Sequence, residues 1–305
     1  MIKKLTYIFF FYLLAMALLI ALAPTWWFFD LFTHFGVQFF SAALAVIGML
    51  LYYRAYRSAT MLAFIAIIVV GPAFGVSMPQ PNHVRQGVIV RVLQANVNKN
   101  NISPDRLVAE LQNEQPDIIT LNEVNPRFVQ ALNDVIAPAY PFRVLAPRED
   151  YQGMAVYSKV PIDTTATTTF GFATPPVIRV TFAEPRFTLY AIHALSPIIP
   201  GWAIERDSFF DFFGKNLTHD DGGLVVTGDF NLTMFSPVMK RFMAMSQLND
   251  SRVGFGVVPS WLPNTLLALP IDQILYRGNI VVTDMKVLPA IGSDHRPVMA
   301  TMYIN

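Results

Sequence analysis

The sequence predicts an α/β or α+β domain built on two sheets, carried behind about three membrane-spanning helices. Three observations lead there. Apolar runs crowd residues 1–78, short apolar strand-like segments with a few helices fill residues 87–305, and polar, chemistry-bearing residues close those segments one after another.

The apolar runs come first. Of 305 residues, 53% are hydrophobic and 14% charged, whereas soluble domains carry about a quarter charged residues. Leu5 to Ala23 is almost uninterrupted and uncharged; Val37 to Tyr53 and Met61 to Val76 follow. A bilayer core needs about 20 apolar residues per helix. The first run meets that alone, and the others need flanking residues such as Phe35 and Ala59. A cleaved signal peptide is the competing reading of the first run. Two further apolar runs follow it, and no small-residue cleavage site leads into ordinary soluble sequence. Lys3 and Lys4 precede the first run, Pro24 to Phe35 holds no Lys or Arg, and the next connection carries Arg54 and Arg57. Basic connections stay in the cytoplasm, so three crossings place everything beyond about Pro79 outside. The expected location is a multi-pass inner or cell membrane protein with a periplasmic or extracellular domain. Trp26 to Phe29 suit an aromatic belt. Pro79 to Asn82 reads as extended linker, giving an anchor over 1–78, a linker over 79–86 and a folded domain over 87–305. No cysteine is present, which excludes disulfides, zinc–thiolate sites and a cysteine nucleophile.

The folded domain opens with a strand over Val88 to Ala95. Ser103, Pro104 and Asp105 start a helix with Ser as N-cap and Pro at the first position; Gln115-Pro116 ends it. Asp117 to Leu121 is a buried strand, Pro126 begins a second helix, and Gly153 to Tyr157 is another strand. Val177 to Thr181 and Phe187 to Ile192 form a hairpin, and Ala203 to Leu217 has helical spacing. Leu224 to Thr227, Ile271 to Tyr276, Ile280 to Leu288 and Val298 to Ile304 are further strands.

Polar groups stand where these strands finish: Asn96 and Asn98, Glu123, His193, Asp229 and Asn231, Asp272, and Ser293-Asp294-His295. Strand ends on one sheet edge converge into a cleft. Singly, each has an ordinary explanation. Asn96 and Asn98 suit turns, as does Gly228 to Asn231; Glu123 suits a solvated carboxylate, Asp294 a loop cap, and His193 a hydrogen-bonded structural histidine. Their joint occurrence carries the functional reading.

In this order the motifs resemble the endonuclease/exonuclease/phosphatase (DNase I-like) superfamily. The matching elements are Asn96, Glu123, Gly153 to Tyr157, His193, Gly228-Asp229-Phe230-Asn231, Ile271-Asp272-Gln273-Ile274 and Ser293-Asp294-His295, over roughly Gly87 to Asn305. Pro259 to Pro263 (PSWLP) resembles a Pro-Thr-Trp-Pro loop of bacterial members with an N-terminal membrane anchor. Two positions depart from the pattern: Asn122 stands where Gln is usual, and Asn98 where some nucleases have Asp.

The resemblance implies a four-layer sandwich of two packed β-sheets flanked by helices. It implies a Mg²⁺-dependent hydrolase of phosphodiester or phosphomonoester bonds, with Mn²⁺ as a substitute. Glu123, Asn96 and Asp294 would ligate the metal through hard oxygens. His295 would be the general base, Asp272 its orienting partner, and Asp229 the group that orients or activates water. Asn231 would donate to the phosphoryl oxygen, and His193 would contact the phosphate or protonate the leaving oxygen. Substrates considered are nucleic acid, nucleotide or phospholipid; the other partner is the bilayer around the N-terminal helices, and no protein partner is indicated. Beyond the anchor, 18 Lys and Arg face 20 Asp and Glu, which speaks mildly against tight non-specific nucleic-acid binding. The alternative is a non-catalytic membrane-bound binding module that keeps the fold. Such a copy is expected to lose Glu123, Asp229 or His295, and all three are present.

Overall fold

The computed structural model describes residues 2–77, 87–169, 176–217 and 222–305, with side chains of the first stretch described as far as Val69. The linker expected over 79–86 lies outside the described residues.

Two six-stranded sheets form the folded domain. One orders β11 (Ile280–Val287), β12 (Val298–Ile304), β1 (Val88–Asn96), β2 (Ile118–Asn122), β4 (Met154–Ser158) and β3 (Phe142–Ala146). The other orders β5 (Thr164–Thr168), β6 (Val177–Phe182), β7 (Phe187–His193), β8 (Gly223–Asp229), β10 (Asp272–Arg277) and β9 (Asn249–Asp250). The same rule builds both centres. A parallel pair, β1 with β2 and β7 with β8, is flanked by antiparallel neighbours.

Strand periodicity divides the core. Val92, Ile118, Val156, Val180, Leu189, Val225, Ile274 and Ala300 point between the sheets and interlock there. Leu93, Ile119, Leu121 and Tyr157 point the other way, onto α5 (Asp105–Glu114) and α6 (Pro126–Ile136). Ile192, Val226 and Leu275 meet the phenylalanines of α7 (Pro200–Asn216) and α8 (Pro237–Ser246). The result is the expected helix–sheet–sheet–helix order. Strands buried on both faces need apolar residues at nearly every position, which is why β2, β4, β7 and β8 read as continuous apolar runs.

Local signals account for the helix ends. Asn125 accepts a hydrogen bond from the Phe128 backbone N–H and Pro126 follows at the first position. Ser236 caps Val238 in the same way ahead of Pro237. Gln115, in the left-handed region at φ 49°, closes α5. The opposite end of α5 differs from expectation. Pro104, not Ser103, occupies the cap position, no side chain caps the helix, and Ser103 Oγ instead pairs with the Asp105 carboxylate at 2.7 Å.

The apolar N-terminal region folds as α1 (Ile2–Ala21), a 3-10 turn (Ala23–Thr25), α2 (Trp27–Thr33), α3 (Gly36–Tyr52) and α4 (Tyr56–Ser77). The stretch Ile2–Thr25 is long and apolar enough to cross a membrane. The second apolar run does not gain length from the residues before it, because α2 and α3 meet at a bend of 59°. Alone, α3 spans about 26 Å at ~1.5 Å per residue. Leu13, Phe39, Ala43, Leu50 and Leu62 form a core shared by α1, α3 and α4, while Ile8, Phe11, Phe64 and Ile68 point outward.

The stretch expected as a plain loop between the first two runs is largely α2, and it docks on the folded domain. Asp30 of α2 accepts from Arg206 Nη2 of α7 at 3.0 Å, with both side chains buried. His34 Nδ1 accepts from the Thr233 backbone N–H at 3.3 Å. Gln38, in the first turn of α3, donates to the Ala268 carbonyl at 2.9 Å, and Phe235 lies against Gly36.

Candidate active site

Asn96 is the last residue of β1, and its register partner Asn122 is the last of β2. Glu123 follows at φ 59°, a conformation a non-glycine residue holds only when its surroundings over-determine it. They do: Glu123 Oε1 accepts from Asn96 Nδ2 at 3.0 Å, and Oε2 accepts from the Lys99 backbone N–H at 3.1 Å. In the second sheet His193 pairs with Asp229 across β7 and β8, and Asp272 pairs with Asp229 across β8 and β10. The sequence suggested convergence on one sheet edge. Instead the two sheets contribute jointly, and the residues gather at the end of the sandwich where the sheets meet.

Asn122 fastens that end. Its Nδ2 donates to the Ile192 carbonyl at 3.0 Å and its Oδ1 accepts from the Asp229 backbone N–H at 2.9 Å, so one buried amide ties β2 to both β7 and β8. Gly228 allows β7 and β8 to close: a Cβ there would come within 1.9 Å of the Ile192 carbonyl oxygen. Gly153 does the same against Val124, also at 1.9 Å. The glycines of two motifs are thus requirements of close backbone approach.

All eight residues given a chemical role from the sequence come to this end of the domain, most of them in two linked groups. In one, Asn96 Nδ2 donates to both Glu123 Oε1 and Asp229 Oδ2, at 3.0 Å each. His193 Nε2 lies 4.0 Å from that Glu123 oxygen and 3.8 Å from that Asp229 oxygen, and its Nδ1 has no hydrogen-bond partner among the described residues. In the other, His295 Nδ1 pairs with Asp272 Oδ2 at 2.7 Å, and its Nε2 lies 3.7 Å from Asp229 Oδ2. Asp229 belongs to both groups. Its Oδ1 accepts from the Asn231 backbone N–H at 2.9 Å, and Asn231 Nδ2 donates to the Ala194 carbonyl. Asp294 sits to one side, accepting from Asn98 Nδ2 at 2.9 Å and Trp261 Nε1 at 3.1 Å. The Asn98 backbone N–H donates to Asn96 Oδ1, which links that side to the rest.

The site is crowded with carboxylates. Burial pushes Asp229 up to about 6, reinforced by Asp272 and opposed by His295 and His193. Burial acts against the charged form of His295, but Asp272, Asp229 and Asp294 outweigh it and raise the imidazole to about 10. Burial also disfavours ionised Asp294, yet hydrogen bonds from Asn98 and Trp261, with His295 nearby, hold it below the ordinary carboxylate range.

Supporting residues went unrecognised in the sequence. Lys99 caps Glu123 through its backbone and places Nζ 3.8 Å from the Tyr151 ring centre. Ser260 Oγ accepts from the Asp272 backbone N–H at 3.2 Å. Ser260 stands inside the PSWLP segment, so that motif carried the signal; nothing local marks Lys99.

The family model described as Endonuclease/Exonuclease/phosphatase family matches residues 93–295. No curated protein sequence matches the chain. Solved structures are similar at the level of the fold. An endonuclease/exonuclease/phosphatase from Beutenbergia cavernae is 15% identical with a TM-score of 0.60, over 71% of this chain and 72% of that one. D. rerio TDP2 complexed with single strand DNA product is 17% identical with a TM-score of 0.59, over 70% and 98%. The 3′ phosphatase NExo from Neisseria, bound to product DNA hairpin, is 19% identical with a TM-score of 0.57, over 69% and 98%.

Proposed function

We propose, from the premise that this chain belongs to the endonuclease/exonuclease/phosphatase family, that it is a membrane-anchored, divalent-metal-dependent hydrolase of phosphoester bonds. The observation that carries the reading is the junction of the two groups at Asp229: a His–Asp relay on one side and a carboxylate–amide cradle on the other.

The donors fit a hard cation. Asp229, Asp272 and His295 bring ligand atoms within 4.8 Å of one another, but Asp272 and His295 are already bound to each other, so this trio reads as a relay. Glu123 and Asp229 converge on the single Asn96 amide, an arrangement that a cation would satisfy better than one N–H₂ group. Glu123, Asn96 and Asp294 would hold Mg²⁺, with Mn²⁺ as a substitute, and the ion when bound offsets charge on the phosphoryl oxygens.

The remaining residues divide the chemistry. One water can hydrogen-bond to both His295 Nε2 and Asp229 Oδ2, which stand 3.7 Å apart. Asp229 orients that water and His295 takes its proton. Asp272 fixes the imidazole through Nδ1 and stabilises its charged form. Asn231 keeps a second amide N–H for the phosphoryl oxygen, and His193 delivers a proton to the leaving oxygen. A cation held by Glu123, Asn96 and Asp294 would offset part of the negative charge that favours protonated His295. The phosphoester could be that of a nucleic acid, a nucleotide or a phospholipid; the similar D. rerio TDP2 and Neisseria NExo structures hold DNA.

Location follows the same connectivity. The α1–α3 turn touches the folded domain, while Lys3, Lys4, Arg54 and Arg57 lie at the opposite helix ends. A multi-pass anchor with the folded domain outside fits this and the basic-residue rule. An alkaline phosphatase fusion at the C-terminus should be active; a silent fusion with a bright cytoplasmic reporter reverses the topology. For the activity, purified protein should hydrolyse bis(p-nitrophenyl) phosphate with Mg²⁺ or Mn²⁺ and stop in excess EDTA. Undiminished turnover after dialysis against EDTA removes the metal from the mechanism.

A further inference from the structure

Two uncharged loops rim the candidate active site. No charged residue occurs between Arg252 and Asp272, and none between His193 and Glu205. Both expose large apolar side chains: Leu266 is 89% and Leu267 53% exposed in the first, and Ile198 is 70% exposed in the second. A single exposed leucine is ordinary. Apolar side chains gathered on two loops beside one cleft mark an interaction surface.

Both loops are tied to the chemistry. Trp261 bridges to Leu269 and to His295, and the Leu262 backbone N–H donates to the Asp294 carbonyl. The second loop leaves Ala194, whose carbonyl receives Asn231 Nδ2. Both are also tied to the apolar helices. Gln38, in the first turn of α3, holds the Ala268 carbonyl. Consecutive Cα atoms are ~3.8 Å apart, so Leu266 and Leu267 lie within about 8 Å of that point, beside the end of α3. Arg206, two residues after the exposed Ile204, pairs with Asp30 of α2. Trp26 and Phe28 project from the turn between α1 and α3, as side chains at headgroup depth do.

We propose that the two loops seat in the headgroup layer of the bilayer that holds the anchor, and that the site to which both are tied takes a phosphoester carried by a membrane phospholipid. This rests on the hydrolase reading above. In the reaction, the water oxygen bonds to phosphorus while one P–O ester bond breaks. The departing lipid or headgroup oxygen takes a proton from His193, and the water proton passes to His295 and then to solvent. No oxidant or co-substrate is needed. A DNA- or RNA-directed cleft calls for Lys and Arg on its rim, and these two loops supply none.

The chain has no cysteine, so Leu266→Cys offers a unique labelling site. The full-length variant, carrying an NBD fluorophore and reconstituted in vesicles of phosphatidylethanolamine, phosphatidylglycerol and cardiolipin, should show blue-shifted emission. Lipids spin-labelled on the acyl chain should quench it. Water-like emission without lipid quenching overturns the seating of the loop. In the same vesicles with Mg²⁺, the unmodified protein should convert the vesicle phospholipids, followed by mass spectrometry. Leu266→Ser/Leu267→Ser should lower that rate by roughly tenfold or more while leaving bis(p-nitrophenyl) phosphate hydrolysis unchanged. An equal fall on both substrates makes the leucines structural and overturns the proposal. Cleavage of the soluble diester or of a short single-stranded DNA, with the lipids untouched, overturns the lipid substrate but leaves the hydrolase reading standing. No cleavage of any of the three removes both.

Discussion

At the junction with the apolar helices, Arg206 is wholly buried and meets Asp30 at 3.0 Å and Asp207 at 2.8 Å. A few residues away, in the cleft, Asp229, Asp272, Glu123 and Asp294 gather around two imidazoles. The junction gives one buried cation two carboxylates, Asp30 buried and Asp207 half-buried, with Arg206 Nη1 also reaching the Asn231 carbonyl; His34 Nε2 there has no hydrogen-bond partner among the described residues. The candidate site leaves Asp272 Oδ1 and His193 Nδ1 without hydrogen-bond partners among the described residues and sets four carboxylates around two imidazoles. Buried polar atoms are normally satisfied. The junction's two carboxylates share a permanently charged guanidinium, whereas the site's four carboxylates meet imidazoles and neutral donors in the described contacts; on the proposed reading a cation offsets that excess. Arg206 touches both regions: it pairs with Asp30 of α2 and donates to the backbone carbonyl of Asn231.

The comparison breaks most readily at the relay. His295→Ala should lower kcat by about 10²–10⁴-fold in protein that unfolds at a near-normal temperature; Asp272→Asn should follow with a smaller loss. Near-normal kcat in well-folded His295→Ala protein would make the cleft a second structural cluster. At the junction the opposite is expected. Removing one partner of a buried pair costs about 3–5 kcal/mol, so Arg206→Met should lower the unfolding temperature strongly. Asp30→Leu combined with Arg206→Met should recover part of that loss, because the buried carboxylate is removed with its partner and the half-buried Asp207 is left facing solvent. A double variant as unstable as the single one would assign Arg206 a role beyond neutralisation.

Cation binding sharpens the contrast. Mg²⁺ at 100 times its Kd should stabilise the protein by about 2.7 kcal/mol, and Glu123→Gln should abolish most of that shift while Asp30→Asn leaves it in place. Calorimetry with and without EDTA reads both.

The smallest effect expected is on pH dependence. In EDTA the folded state raises His295 from 6.5 to about 10, so folding favours its protonated form. The stability this contributes is complete below about pH 6.5 and is lost as pH rises towards 10. Asp229, raised from 3.8 to about 6, has the same sign at lower pH. Unfolding temperatures of the metal-free protein should therefore fall between pH 6.5 and 10, and His295→Gln should flatten that slope. An unchanged slope in the variant would place the titrating group elsewhere.

The sequence alone determined much of this. Continuous apolar runs fixed β1, β2, β7 and β8, because a strand covered on both faces has no polar side to show. Asn125-Pro126 marked a helix start, since cap chemistry is local. The order of Asn96, Glu123, Asp229, Asp272 and His295 pointed to a single cleft. What lacked a local signal was missed. Thr164–Thr168 is exposed along its whole length and becomes a strand only because β6 offers an edge. The half-exposed β3 is similar. Asp30 and Arg206 stand 176 positions apart, and nothing near either one announces the other. The same holds for Asn122, which looked like a departure from a pattern and proved to be the amide that fastens the two sheets. Backbone periodicity and capping act over a few residues and are written in order along the chain. Which strand end faces which, and which buried charge finds its partner, follows from packing two sheets and the apolar N-terminal helices together, and only the tertiary structure decides that.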